Sequence, residues 1–340
     1  MNASFHDKKK STTIRNIIFD AYHGRTILIT GGQGYIGSAL TKSLAELNCK
    51  LILLDHTTEN IWKPEHQKAE VLILHGDVTV RKTWDAALPG VDYVFHLAAK
   101  EYYYRSGYNP EQDFQFNALP ILHLLEVCRT QNYRPKIVFA SSANLFGLVD
   151  TLPVNEDNRA DPLTMWAIHK LTAEHYLKLY SQQFDIKSIT LRLANVYGPT
   201  ARWPAVHRVV INKVIAKALE GEALITYANQ SCVRDYVFLK DVVQAFLLAG
   251  AYCGSNKSSF YVIGSGEGET IADVWHLIAD SVRSHIGKNV PIRFDRSVKI
   301  EPMELRSFVA DTSRFKAATG WKPQTGLTQG IDLTVRAFLS

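Results

Sequence analysis

A chain of 340 residues carries 38 Lys and Arg against 33 Asp and Glu, a formal net charge of +5, with 46% apolar and 21% charged residues. This is the composition of a folded globular protein with chain enough for one large α/β domain or two modest ones, and it excludes disorder as the main state. The positive balance is too weak and too dispersed to call for nucleic acid or an acidic membrane surface as partner, and leaves room for a small anionic ligand.

The first 24 residues read as an N-terminal arm. Lys8, Lys9 and Lys10 precede STTIRNIIFDAYHG, which has no continuous apolar segment and no small-residue cleavage pattern, so a cytoplasmic protein is expected. Within the arm Ile14, Ile17, Ile18 and Tyr22 recur at helical spacing and predict a short amphipathic helix docked on the body or on a neighbouring subunit. A loosely attached leader is the alternative. From Arg25 strands and helices alternate: TILIT, a glycine-rich turn, the helical SALTKSLAELN, then KLILLD and EVLILHGDV. The alternation continues through DYVFHLAA, a helix near 114–130, KIVFASS, a helix near 165–183 and SITLRLANV. Strands apolar on both faces and alternating with helices predict a Rossmann-type doubly wound parallel sheet over residues 25–198, with a return segment near 233–262. Residues 199–232 and 263–340 mix short strands (EALITYA, SSFYVIG) with helices near 205–220, 241–251 and 271–285, and predict a smaller C-terminal α/β lobe. No run approaches the roughly 20 apolar residues of a membrane-spanning helix. Cys49, Cys128, Cys232 and Cys253 lie far apart with no metal-ligand spacing, so reduced core thiols are expected, with no disulfide framework and no metal site.

The turn Gly31-Gly32-Gln33-Gly34-Tyr35-Ile36-Gly37 follows the first strand and opens a helix. Glycines there let the backbone bend sharply and approach a pyrophosphate, whose charge meets the free N–H groups of the helix N-terminus. Asp55 ends the next strand 18 residues beyond Gly37, where a carboxylate can accept from both ribose hydroxyls and repels a 2′-phosphate. The pattern predicts NAD rather than NADP. Asp77 ends the third strand, beside Val78, where it can hold the adenine amino group or serve as a cap. Leu97, Ala98 and Ala99 close the fourth strand with small residues that let the cofactor lie close, or simply pack.

With these pieces in place the chain resembles the extended short-chain dehydrogenase/reductase family, in particular its NAD-dependent nucleotide-sugar epimerases and dehydratases such as the UDP-sugar 4-epimerases. The resemblance rests on GGQGYIG, GDV at 76–78, HLAA, Asn117, SSANLFG at 141–147, PLTMWAIHK at 162–170, LRLANVYGP at 191–199, RDYVFLKDVVQAF at 234–246 and ADTSRFKAATGWKP at 310–323. It implies that hydride leaves a sugar carbon, usually C4, for bound NAD while a tyrosine phenolate takes the hydroxyl proton, and that the transient keto-sugar is then reduced again, eliminated or decarboxylated. A phenol with pKa near ~10 needs a neighbouring cation for this, which the family supplies as a Lys four residues later. Lys170 matches that Lys, and Ser142 matches the Ser or Thr that bonds the sugar hydroxyl. Asn117 falls among the cofactor-binding positions.

The place of the Tyr holds Trp166, whose indole N–H donates but cannot act as a base. His169, or one of Tyr102, Tyr103, Tyr104 and Tyr108, is then the candidate for proton transfer, with surface or packing roles as their alternatives, and Trp166 can serve as a stacking platform for a sugar. Ala143 and Asn144 stand where dehydratases carry acidic residues, which favours epimerase-like or ketoreductase-like ancestry. Asn195 and Arg234 match positions that hold the diphosphate and nucleoside, though Arg234 can instead pair with Asp235. Glu301 occupies the place of a second phosphate-binding Arg, for which Arg306 or Lys299 can compensate. Asp311, Trp321, Lys322 and Pro323 read as structural closure of the small lobe. The resemblance implies an isomerase of carbohydrate biosynthesis that modifies a nucleotide-diphosphate sugar, working as a homodimer through the helices near 114–130 and 165–183. The alternatives are a non-catalytic NAD and sugar-nucleotide binder, a 4-ketoreductase and an unusual dehydratase.

Overall fold

The computed structural model describes residues 14–57, 62–65, 67–100, 109–200, 209–254 and 259–340. Tyr102, Tyr103, Tyr104 and Tyr108 therefore lie outside the described residues. A helix over 14–22 (α1) precedes Thr26–Thr30 (β1), Tyr35–Leu44 (α2), Lys50–Asp55 (β2), Glu70–His75 (β3), Arg81–Ala87 (α3) and Tyr93–His96 (β4). Pro110–Asn117 (α4), Leu119–Thr130 (α5), Lys136–Ser142 (β5), Met165–Phe184 (α6) and Ser188–Leu193 (β6) follow. Next come Asn195–Tyr197 (β7), Val210–Glu220 (α7), Leu224–Thr226 (β8), Val233–Phe238 (β9), Leu239–Tyr252 (α8) and Ser259–Ile263 (β10). Gly268–Thr270 (β11), Ile271–Ile286 (α9), Ile292–Phe294 (β12), Ser313–Thr319 (α10) and Leu327–Leu339 (α11) complete the order.

Seven strands form one sheet in the order β10-β6-β5-β4-β1-β2-β3. The pairs β1–β2, β1–β4, β2–β3 and β4–β5 are parallel, as expected of strands fully apolar on both faces. This is the α/β architecture predicted from the alternation. β7, β9 and β11 form a separate three-stranded sheet, and β8 pairs with β12. Within the return segment expected near 233–262, β9 thus lies in the three-stranded sheet while β10 edges the large one.

The chain divides into two compact units. One comprises Met1–Ala140, Thr172–Thr190 and Val243–Ser259, the other Ser141–Leu171, Leu191–Val242 and Phe260–Ser340. The core of the first joins Leu28, Ile52, Leu54 and Val94 of the strands to Trp84 of α3, Leu124 and Cys128 of α5 and Leu177 of α6. The core of the second gathers Tyr197 and Phe238 with Ile215 of α7, Trp275 and Ile278 of α9 and Val335 of α11.

The single helix expected near 114–130 is two helices. Asn109 caps α4 by accepting from the N–H groups of Glu111 and Gln112. The break comes at Ala118, because Pro120 in the first turn of α5 has no N–H to carry the helical ladder through.

Of the two readings of the arm, the described part follows the first. Tyr22 is wholly buried, its hydroxyl donates to the Leu247 carbonyl at 2.6 Å, and its ring lies 4.9 Å from that of Tyr93. Gly250 makes the room, since a Cβ there would stand 2.2 Å from the Tyr22 hydroxyl. α1 is docked on the body through α8. No described helix is long and apolar enough to cross a membrane.

Candidate active site

The glycine turn after β1 is folded against its own backbone. Gly31 adopts φ +67°, and a Cβ on it would stand 2.9 Å from the Ala98 nitrogen, so the turn rests directly on the main chain of Leu97 and Ala98 just after β4. A Cβ on Gly37 would lie 2.1 Å from the Gly31 carbonyl oxygen. Gly34 donates its N–H to that same carbonyl at 2.8 Å and forms the N-cap of α2, whose first turn, Tyr35, Ile36 and Gly37, carries no acidic residue. The positive end of α2 is therefore not neutralised by a neighbouring carboxylate on the helix, as an anion site requires.

Asp55 is 8% exposed and its two oxygens are held separately: Gln33 N donates to Oδ2 at 3.0 Å and Thr57 N to Oδ1 at 3.1 Å. His56 Nδ1 lies 3.5 Å from Oδ1, and Oδ2 keeps a second lone pair toward a ribose hydroxyl. Asp77 is exposed and accepts from Thr79 N at 2.8 Å, closing the turn ahead of α3, while the Val78 carbonyl accepts from Trp84 Nε1. Asn117 is buried, and its side chain exchanges two hydrogen bonds with the main chain of Lys100 and donates a third to Asp113. That arrangement lets Asn117 hold the segment leaving β4 in place. Thr30, which sequence reasoning passed over, accepts from Ala98 N at 3.2 Å and shares a hydrogen bond with His96 Nδ1, so it fixes where that segment begins. The donor set, close-packed turn and carboxylate fit a dinucleotide of the NAD type.

The second unit carries the other candidate residues. Ser142 ends β5, half-buried, and its oxygen accepts from Asn144 N at 3.1 Å, which leaves its proton to donate. Asn144 in turn accepts through Oδ1 from the guanidinium of Arg306, a residue 5% exposed whose plane lies over Phe308. The structure thus brings Ser142, Asn144 and Arg306 together. Thr164 caps α6 by accepting from Ala167 N, and the first turns of that helix present Trp166, His169 and Lys170. Lys170 is 2% exposed, with Nζ 5.9 Å from the centre of the Trp166 ring. Trp166 Nε1 is buried with no hydrogen-bond partner among the described residues. His169 is half-buried one position before the lysine.

Arg234 is not paired with Asp235. The Asp235 carboxylate is filled by Ser265 N and Oγ, Gly266 N and Ala310 N at 2.7 to 3.0 Å. The Arg234 guanidinium instead donates to the carbonyls of Glu304, at 2.7 Å, and Val233. Burial pushes its pKa below the ordinary arginine value, a sign that its charge lacks solvent. Among the described residues no carboxylate forms an ion pair with it, so this half-starved cation keeps N–H donors for an anion. Asn195 donates to the Asp235 carbonyl at 3.1 Å. Glu301 caps a short turn together with Glu304, whose carboxylate also accepts from Tyr227. No group of three His, Cys, Asp or Glu that could hold a metal ion occurs among the described residues.

Comparison with known proteins places this geometry. The model of the family described as NAD dependent epimerase/dehydratase matches residues 27–264. UDP-glucose 4-epimerase of Mycolicibacterium smegmatis is 29% identical over 92% of this chain and 97% of that protein. Among solved structures, UDP-glucose 4-epimerase from Thermus thermophilus in complex with NAD is 30% identical, with a TM-score of 0.77 over 93% of this chain and 99% of its own. UDP-glucose 4-epimerase from Thermotoga maritima with UDP-glucose is 28% identical, with a TM-score of 0.80 over 92% and 98%. With a family match across most of its length, the chain belongs to the NAD-dependent epimerase/dehydratase family.

Proposed function

We propose that the protein is an NAD-dependent enzyme that modifies a nucleotide-diphosphate sugar by epimerase-type chemistry through a transient keto-sugar, with an atypical proton-transfer group because Trp166 stands at the usual place of the tyrosine. The observation that carries this reading is a buried Lys170 on the same helix face as Trp166, one turn apart. That spacing is the one at which the resembling family sets its cation beside the residue that faces the sugar hydroxyl. The hydride acceptor and donor in this reading is the nicotinamide of NAD, held by the turn at Gly31–Gly37 and by Asp55. Arg234, Asn195 and Arg306 take the diphosphate and nucleoside, and Ser142 donates to the sugar hydroxyl. The indole of Trp166 does not titrate, so His169 or Tyr103 accepts the hydroxyl proton. The similarity to UDP-glucose 4-epimerases supports a UDP-sugar as the first substrate to test.

Purified protein incubated with UDP-, GDP-, CDP- and dTDP-sugars, followed by NMR of the sugar and by absorbance of bound NADH, is expected to turn over at least one of them. If none of them turns over, Trp166→Tyr is expected to restore some turnover, since supplying a missing general base is worth ~10² to 10⁴. His169→Ala and Tyr103→Phe then separate the two bases, and loss of rate in neither rejects both. Trp166, whose indole N–H can donate but cannot act as a base, favours one second reading: a binder of NAD and sugar nucleotide without turnover. That reading predicts affinity for both ligands and silence in every assay of wild type. The active form we read as a homodimer, supported by the exposed apolar Ile168 and Leu179 on α6; sedimentation equilibrium checks it.

A further inference from the structure

Gln33 stands inside the glycine turn, between Gly32 and Gly34, yet it is only 1% exposed. Its side-chain amide forms a two-way pair with the main chain of Trp62: Nε2 donates to the Trp62 carbonyl at 3.0 Å and Oε1 accepts from the Trp62 N–H at 2.9 Å. The pair copies the reciprocal bonding of two antiparallel strands with a side chain in place of one strand. The main chain of Gln33 is engaged as well, through its N–H to Asp55 Oδ2, while Thr57 N reaches Oδ1 of the same carboxylate. One residue therefore ties the phosphate-binding turn both to the acidic end of β2 and to the segment that follows β2.

That segment decides which dinucleotide fits. In a sheet of this topology a 2′-phosphate needs space and a cationic donor near the end of β2, where a carboxylate instead favours a ribose diol. We infer that Gln33 is a positioning residue for cofactor selectivity: by clasping the main chain of Trp62 while its own N–H holds Asp55, it fixes the glycine turn and the Asp55 carboxylate in the arrangement that meets a ribose diol rather than a 2′-phosphate. The inference rests on NAD occupying this turn and adds to it a residue that does not touch the reacting atoms.

The test uses the full chain. In wild type, hydrogen exchange without ligand is expected to show the Trp62 amide protected, and in Gln33→Met that protection falls at least tenfold. Calorimetry with NAD and NADP is expected to show NAD affinity reduced about tenfold in Gln33→Met with NADP affinity unchanged, the loss of two neutral hydrogen bonds that order a loop. Trp62→Pro removes one of the two bonds, the Trp62 N–H to Gln33 Oε1, and leaves the turn sequence intact, so it narrows the preference in the same direction, while Trp62→Ala keeps the main-chain pair and behaves as wild type. An unprotected Trp62 amide in wild type overturns the clasp. So does equal loss of NAD and NADP, or unchanged affinity for both, in a folded Gln33→Met. Wild type without affinity for NAD overturns the proposed function together with the clasp; wild type that binds NAD beside an unaffected Gln33→Met overturns the clasp alone.

Discussion

In the turn between β1 and α2 the working polar groups belong to the main chain: the Gly34 and Gln33 N–H groups, the Gly31 carbonyl and the open end of a helix. In the region that runs from Ser142 to Lys170 and includes Arg234 and Arg306 they belong to side chains: a hydroxyl, an ammonium over an indole and guanidinium groups held by an amide and by carbonyls. A site built from backbone tolerates replacement of its neighbours so long as no Cβ intrudes and the few side chains that anchor it, Gln33 and Asp55 here, are kept. One built from side chains changes its chemistry with a single residue, and Trp166 is such a residue. The contrast explains how a chain can keep a dinucleotide turn while the chemistry of a region built from side chains, such as the helix that carries Trp166 and Lys170, is open to change.

The sharpest way to break this contrast is Gly37→Ala. Its methyl would sit 2.1 Å from a backbone oxygen that cannot move aside, so NAD affinity is expected to fall by ~10² or more, with a stability loss of about 3 kcal/mol, while binding of a nucleotide sugar persists. Calorimetry with each ligand and urea unfolding read both numbers. The mirror experiment is Arg234→Met, which keeps the length and removes the charge. Affinity for the nucleotide sugar is expected to drop ~10-fold to 10²-fold, in line with a charged hydrogen bond of about 1.5–3 kcal/mol, with NAD binding unaltered. Equal damage to both ligands by either variant would dissolve the distinction between the regions.

The smallest effect lies away from both. Hydrogen bonds from Arg129 and then from Tyr180, at 2.6 Å, hold the Glu126 carboxyl down at about 2. A carboxyl depressed in the folded state adds stability that is present above its unfolded value near 4.5 and fades as the pH falls toward 2. Tyr180→Phe is expected to flatten that fall by less than about 1 kcal/mol, the group being partly solvated, as thermal melts at pH 5 and pH 3 will show.

The strands of the large sheet and the glycine turn were legible because their causes are local: apolar runs, glycines and a carboxylate at fixed offsets. Lys170 and Trp166 were equally readable, being four residues apart on one helix. What sequence alone could not supply was any partner far along the chain. Nothing in GGQGYIG announces that Gln33 grips Trp62, 29 residues on. Arg234 beside Asp235 invited an ion pair, and the two side chains turn out to serve different loops, one bonding Glu304 and the other Ser265, Gly266 and Ala310. The break at Ala118 was within reach, since Pro120 was in plain sight, but the apolar periodicity on either side of it is continuous enough to conceal the interruption. The candidate site was readable as a set of residue types, and its hydrogen bonding was not.

The phenol of Tyr22 fills a hollow that exists only because Gly250 lacks a side chain. Cutting away the leader to tidy the protein would therefore uncover an aromatic-lined socket against Tyr93 and Phe95, sticky toward detergents, dyes and other copies, so a shortened version would trade solubility for brevity.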